Sequence, residues 1–201
     1  PVGREGILKS RSMKVLLISA NTEKINMPAL PLGLACVAAA TRKAGHEVAM
    51  VDLMAEKDIR SVLKGAVDGF RPNLIGISVR NIDDQNMENP RFLLDPIKEI
   101  VALCRGLSEA PIVLGGAGYS IFPESALSFL GADMGIEGEG EVVFPELIER
   151  MERGLSLSGL AGLYLLDHGL QGKRIFAKHL DILPLPTTEF WSILFEKRDL
   201  W

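Results

Sequence analysis

Hydrophobic positions along this 201-residue chain follow two alternating rhythms. Short uninterrupted apolar runs, such as Lys14–Ser19 (KVLLIS) and Leu74–Ser78 (LIGIS), predict strands buried on both faces. Between such runs, apolar residues recur three and four positions apart and predict amphipathic helices. Leu32, Ala35, Cys36, Ala39 and Ala40 predict a helix over Leu32–Lys43 that is apolar almost all round, hence well buried, with Gly45 placed to stop it in a left-handed cap. Residues 48–51 predict a second strand, and the stripe Ile59, Val62, Leu63, Ala66, Val67 and Phe70 a second helix. A polar loop at 80–89 leads to a helix carrying Leu93, Ile97, Ile100, Val101 and Cys104. Residues 112–114 and 133–136 predict the fourth and fifth strands. A short helix over 125–130, opened by Pro123, lies between them, and Phe144, Leu147, Ile148 and Met151 mark a last helix.

Strands alternating with helices imply parallel pairing and right-handed crossovers. Five such units predict an α/β, flavodoxin-like, doubly wound five-stranded parallel sheet; the order 2-1-3-4-5 follows from the architecture rather than from single residues. Beyond Gly154 the rhythm changes. Residues 163–166 and 174–178 flank a turn at 167–172 and predict a β-hairpin, followed by the stiff linker Leu183-Pro184-Leu185-Pro186. The expected organisation is a leader at 1–12, a ligand-binding domain at 13–154, and hairpin plus linker at 155–201. The aromatic tail at 188–201, which holds both Trp191 and Trp201, is expected to dock onto a further domain.

Two glycine clusters carry the candidate chemistry. Val113-Leu114-Gly115-Gly116-Ala117-Gly118 and Gly138-Glu139-Gly140-Glu141 each follow a predicted strand and precede a predicted helix. In an open α/β sheet that position is the carboxyl edge, where ligands bind. Glycines let the backbone turn there and approach a ligand with no Cβ in the way. Ser78 ends the third strand at the same edge, so a hydroxyl and two Cβ-free residues are expected to flank a slot running into the sheet. Glu141 suits a helix N-terminus as well as it suits acid–base work, whereas Glu137 or Glu139 is expected to face a ligand.

Several chemistries lack their residues. The long connection at 20–31, with Asn21, Asn26 and Pro28, holds no glycine turn for a dinucleotide, and Asp52 reads as a capping residue. No phosphate-binding P-loop and no G-x-S-x-G elbow occur. The third strand ends in serine rather than in the aspartate of a receiver domain; Asp83 and Asp84 beyond it are expected to be solvated. His46, His168 and His179 form no pair with metal-ligand spacing. A net charge of −4 offers no basic footprint for nucleic acid, and no apolar run is long enough to span a bilayer. Cys36 and Cys104 lie in helical apolar patterns and read as buried thiols, a usage that suits a cytoplasmic protein. No catalytic constellation emerges.

Taken in order, Pro31-Leu32-Gly33-Leu34-Ala35, Arg42-Lys43-Ala44-Gly45-His46-Glu47-Val48, Asp52-Leu53, Ile75-Gly76-Ile77-Ser78, Leu114-Gly115-Gly116 and Gly138-Glu139-Gly140-Glu141 resemble the N-terminal cobalamin (vitamin B12)-binding domain of cobalamin-dependent radical S-adenosylmethionine proteins. The resemblance covers residues 13–186. It implies that the nucleotide tail of cobalamin enters the slot at Ser78, Gly115 and Gly116. The corrin would then lie over the carboxyl edge, near Asn21, Asn81, Gly138, Glu139 and Gly140. Two departures shape the expectation. The D-x-H-x-x-G motif that ligates cobalt from below is absent, since residues 21–33 contain no histidine, so no lower histidine ligand is expected. Two isolated cysteines do not make the C-x-x-x-C-x-x-C motif of a [4Fe–4S] cluster. S-adenosylmethionine, the cluster and the radical step are therefore expected in a C-terminal radical domain outside this chain. The competing expectation is a degenerate flavodoxin-like interaction domain with a vacant pocket; a flavin carrier fits less well, because residues 21–31 lack a hydroxyl- and glycine-rich phosphate loop.

Overall fold

A strand in the middle of a sheet covered on both faces must be apolar or small at every position, and the continuous runs of this chain meet that demand. The computed structural model describes residues 12–22, 30–84, 88–89, 91–176 and 180–186. Its strands are β1 (Lys14–Ser19), β2 (Glu47–Asp52), β3 (Leu74–Ser78), β4 (Ile112–Gly115), β5 (Met134–Ile136), β6 (Leu163–Leu165) and β7 (Gly169–Leu170). They form one sheet in the order β2-β1-β3-β4-β5-β6-β7. The first five are parallel in the expected order, and β6 and β7 add antiparallel at the β5 edge. The sheet is thus a doubly wound flavodoxin-like one with a C-terminal hairpin.

The helices are α1 (Leu32–Lys43), α2 (Ile59–Phe70), α3 (Leu94–Leu107), α4 (Pro123–Leu130) and α5 (Gly140–Glu152). Strand alternation assigns them to faces. Val15, Leu17, Leu74, Val113, Met134 and Ile136 point to one side and pack with Leu34 and Ala38 of α1 and Phe144, Leu147 and Ile148 of α5. Leu16, Ile18, Ile75, Ile77, Ile112 and Leu114 point to the other and pack with Leu63 and Val67, with Ile97, Ile100 and Cys104, and with Leu127 and Leu130. The ends are set locally. Gly45 follows α1 at φ +96°, Asp58 caps α2 by accepting from the Ser61 N–H at 3.0 Å, and Pro123 opens α4. Asp52 takes the capping role expected of it, accepting from the Met54 N–H at 3.4 Å.

Three expectations need correction. The second hairpin arm is Gly169–Leu170, not 174–178, because the chain turns at Asp167 (φ +63°) directly after β6. Residues 173–176 run on without strand structure, leaving Ile175 and Phe176 exposed, and residues 177–178 lie outside the described residues. Leu32 is half exposed (50%) rather than buried, since the first turn of α1 stands at the open edge of the sheet. Asp84 is not solvated: its side chain is 2% exposed, held by Arg91 through Nε at 2.9 Å and the backbone N–H at 3.0 Å. Residues 1–11, 23–29, 85–87, 90, 177–179 and 187–201, which include most of the leader, Asn26, Pro28, His179 and the aromatic tail, lie outside the described residues.

Candidate functional site

The parallel register brings three small residues together. Ser19 pairs with Ser78 and Ser78 with Gly115, so the carboxyl ends of β1, β3 and β4 present two hydroxyls and a glycine in a row. By alternation these residues, and Gly76 below Ser78, face the α1/α5 side. Because none carries a large side chain, the sheet and the first turns of α1 and α5 leave a cavity of about 620 Å³ between them. Leu17, Val113 and Ile136 line its sheet side; Leu34, Val37 and Phe144 line its helix side. Asn21, Leu32, Arg80, Ser120, Glu139 and Arg174 stand among the remaining lining residues.

The glycines have separate duties. A Cβ on Gly115 would meet nothing nearer than the Ile136 carbonyl at 3.9 Å, so a side chain there would project into the cavity. Gly116 sits at φ +97°, and its Cβ would lie 2.6 Å from the Val79 carbonyl oxygen and 3.0 Å from Ser78 Oγ. Only glycine combines that dihedral with that approach. A Cβ on Gly76 would press on Leu17 Cδ2 at 2.6 Å and on Phe144 at 3.4 Å, so Gly76 admits the two side chains that close the floor. Gly140 lets α5 approach Val37 of α1, where a Cβ would stand at 2.9 Å.

Ser120 joins the two glycine clusters. Its hydroxyl donates to the Gly116 carbonyl at 2.9 Å and accepts from the Gly138 N–H at 2.9 Å. Beside it, Glu137 accepts from the Tyr164 hydroxyl at 3.3 Å and stands 3.8 Å from Arg174 Nη1. Burial pushes the Tyr164 phenol above its ordinary pKa, and the Glu137 charge adds to the shift. Glu141 occupies the first turn of α5, where a carboxylate complements the helix dipole. Arg174 arrives from the segment after β7 and lies against Gly138, which has φ +92° and would collide with the arginine if it carried a Cβ.

Of the residues singled out from sequence, Asn21, Ser78, Gly115, Gly116, Gly138, Glu139 and Gly140 all line this cavity, whereas Asn81 is outside the lining. Glu137 stands behind the rim rather than in it. His46 lies at the amino end of the sheet, where Nδ1 accepts from the Met13 N–H at 3.4 Å and is 3.9 Å from Glu152 Oε1. Among the described residues no three His, Cys, Asp or Glu side chains cluster as a metal site. Sequence reasoning missed Gly76, Ser120 and Arg174. A glycine inside a strand is itself a sign of close approach, so Gly76 was open to detection. Ser120 and Arg174 carry no local signal, because their roles come from contacts 18 and 36 residues away in the chain.

Residues 18–148 match a family model described as the B12 binding domain. The tryptophan 2-C-methyltransferase of Streptomyces laurentii is 31% identical over 147 residues, covering 73% of this chain and 24% of that protein. Among solved structures, the radical S-adenosylmethionine methyltransferase TsrM from Kitasatospora setae, with cobalamin and a [4Fe-4S] cluster bound, superposes with a TM-score of 0.73 at 30% identity, covering 79% of this chain and 30% of that one. The cobalamin-dependent S-adenosylmethionine radical enzyme OxsB, with aqua-cobalamin and S-adenosylmethionine bound, shares the fold at TM-score 0.72 and 20% identity, over 92% of this chain and 25% of its own. The chain therefore spans about a quarter to a third of the length of these relatives.

Proposed function

This chain belongs to the B12-binding domain family and is related to radical S-adenosylmethionine methyltransferases, and from that premise we propose that it is the module that holds cobalamin for a radical domain beyond it. The observation that carries the reading is the row Ser19–Ser78–Gly115 above Gly76, opening into an apolar cavity at the carboxyl edge. The residues present fit the group: the space a side chain at Gly115 would fill is open, and the apolar walls of Leu17, Leu34, Val37, Val113 and Ile136 suit a benzimidazole. Ser78 and Ser19 supply hydroxyls to the polar part of the tail. Gly116, Gly138 and Gly140 line the rim, where a Cβ on each would collide with Val79, Arg174 or Val37. Residues 21–33 contain no histidine, and His46 is at the other end of the sheet, so the segment after β1 brings no histidine to the lower face of cobalt. Bound cobalamin supplies a methyl carrier or an electron-transfer partner. The radical step, with S-adenosylmethionine and an iron–sulfur cluster, belongs to the partner domain, for Cys36 and Cys104 are free thiols on separate helices and no cluster motif is present.

The test is a titration with hydroxocobalamin, followed by gel filtration and a visible spectrum. Near-stoichiometric retention is expected, with Gly115→Val folded as the wild type but at least about tenfold weaker, because its side chain occupies the tail slot. Unchanged affinity in folded Gly115→Val removes the slot. No retention by the wild-type chain favours the interaction-domain reading.

A further inference from the structure

Arg174 is the least explained group of the cavity wall. Its Nε is buried and has no hydrogen-bond partner among the described residues. Its one ion-pair contact among the described residues, Glu137 Oε1 at 3.8 Å from Nη1, is too long for a hydrogen bond. The Phe176 ring supports the guanidinium at 4.5 Å from Cζ, and Gly138, held at φ +92°, leaves it room from below. The side chain is only one-third exposed (33%). A donor withdrawn from water without an acceptor is costly, and here two further elements hold it in that state at a cavity wall. The other cation of the lining, Arg80, is exposed.

We infer that Arg174 is a ligand-binding residue of this cavity, and that its fork takes the phosphodiester of the cobalamin nucleotide tail; this rests on the function proposed above. The corrin periphery carries neutral amides, whereas the phosphodiester is the anion of the tail. A planar guanidinium matches phosphate oxygens with two parallel donors. Arg174 thereby distinguishes complete cobalamin from corrinoids that lack the tail.

The experiment measures affinities of the wild-type chain, Arg174→Lys and Arg174→Met for hydroxocobalamin and for cobinamide, which keeps the corrin and its amides but lacks phosphate, ribose and base. Arg174→Met is expected to weaken cobalamin about tenfold and to leave cobinamide within about twofold, with Arg174→Lys in between. The phosphorus-31 resonance of bound cobalamin is expected to move between wild type and either variant. This keeps the inference testable where cobinamide binds too weakly to measure or Arg174→Met does not fold. Equal losses for both ligands, no loss for either, or an unmoved phosphorus resonance overturns the assignment. A wild-type chain that retains no cobalamin overturns the underlying reading instead.

Discussion

Gly115 and Gly116 are neighbours with opposite duties. Gly115 is glycine to leave space, and Gly116 is glycine because of backbone conformation and contact. In the sequence the two read alike, as Cβ-free residues flanking one slot. The structure separates the two: Gly116→Val meets strain of roughly 1–3 kcal/mol from its positive φ, besides the Val79 carbonyl. A clear fall in thermal midpoint is expected for Gly116→Val and none for Gly115→Val. Cys104 gives a pH prediction. Burial pushes its thiol from 9.0 up to about 11, and burial also raises the Tyr119 phenol. Both groups stay neutral in the fold while the unfolded chain ionises first: the Cys104 contribution is complete below pH 9.0 and is lost as pH rises through about 11, and that of Tyr119 is complete below pH 10.0 and is lost at higher pH still. Urea midpoints are expected to decline across that window, with Cys104 unreactive to thiol reagents until unfolding. A flat profile there, or rapid labelling of Cys104, contradicts this.

At the scale of elements, the site depends on how two loops are held together. The loop after β4 and the loop after β5 meet through the Ser120 hydroxyl, which serves Gly116 and Gly138 at once. Ser120→Ala leaves the Gly138 N–H and the Gly116 carbonyl without that partner and is expected to cost about 1–2 kcal/mol. Cobalamin affinity should fall further than stability alone explains, since both loops rim the cavity. Equal stability by urea titration would show that the tie is dispensable. A second packing device stands on the opposite face. A Cβ on Gly135 of β5 would collide with the buried Tyr119 ring, so this glycine makes room for the aromatic group that follows β4. Helices and strands were legible because each carries its own periodicity. The second hairpin arm was not, because β7 is two residues long and the more apolar stretch at 174–178 resembled a strand.

Across the whole molecule, the hairpin is part of the sheet rather than an attachment to it. Met134, Gly135 and Ile136 of β5 pair with β6, and Leu160 and Leu163 are buried against the α1/α5-face core. A chain cut after Gly154 would lose both and expose β5 as an apolar edge. It is expected to lose cooperative thermal unfolding and to aggregate. A monomeric, cooperatively melting fragment would show that the five parallel strands suffice. The described residues include no helix long and apolar enough to cross a membrane.

The identity of strands and helices and the faces the helices bury were determined by the sequence, because burial on two faces and helical spacing leave their imprint within a few residues. The strand order, by contrast, followed from the architecture those elements imply. The meeting of Ser78 with Gly115 and Gly116 was equally accessible, since parallel strands of one sheet must end at a common edge. Tertiary structure alone decided the rest. The Ser120 bridge and the position of Arg174 over Gly138 join segments whose approach is set by loop closure and packing. The burial of Asp84 against Arg91 likewise depends on how the loop after β3 folds back on itself. Such contacts depend on direction and distance in space, and no periodicity along the chain records them.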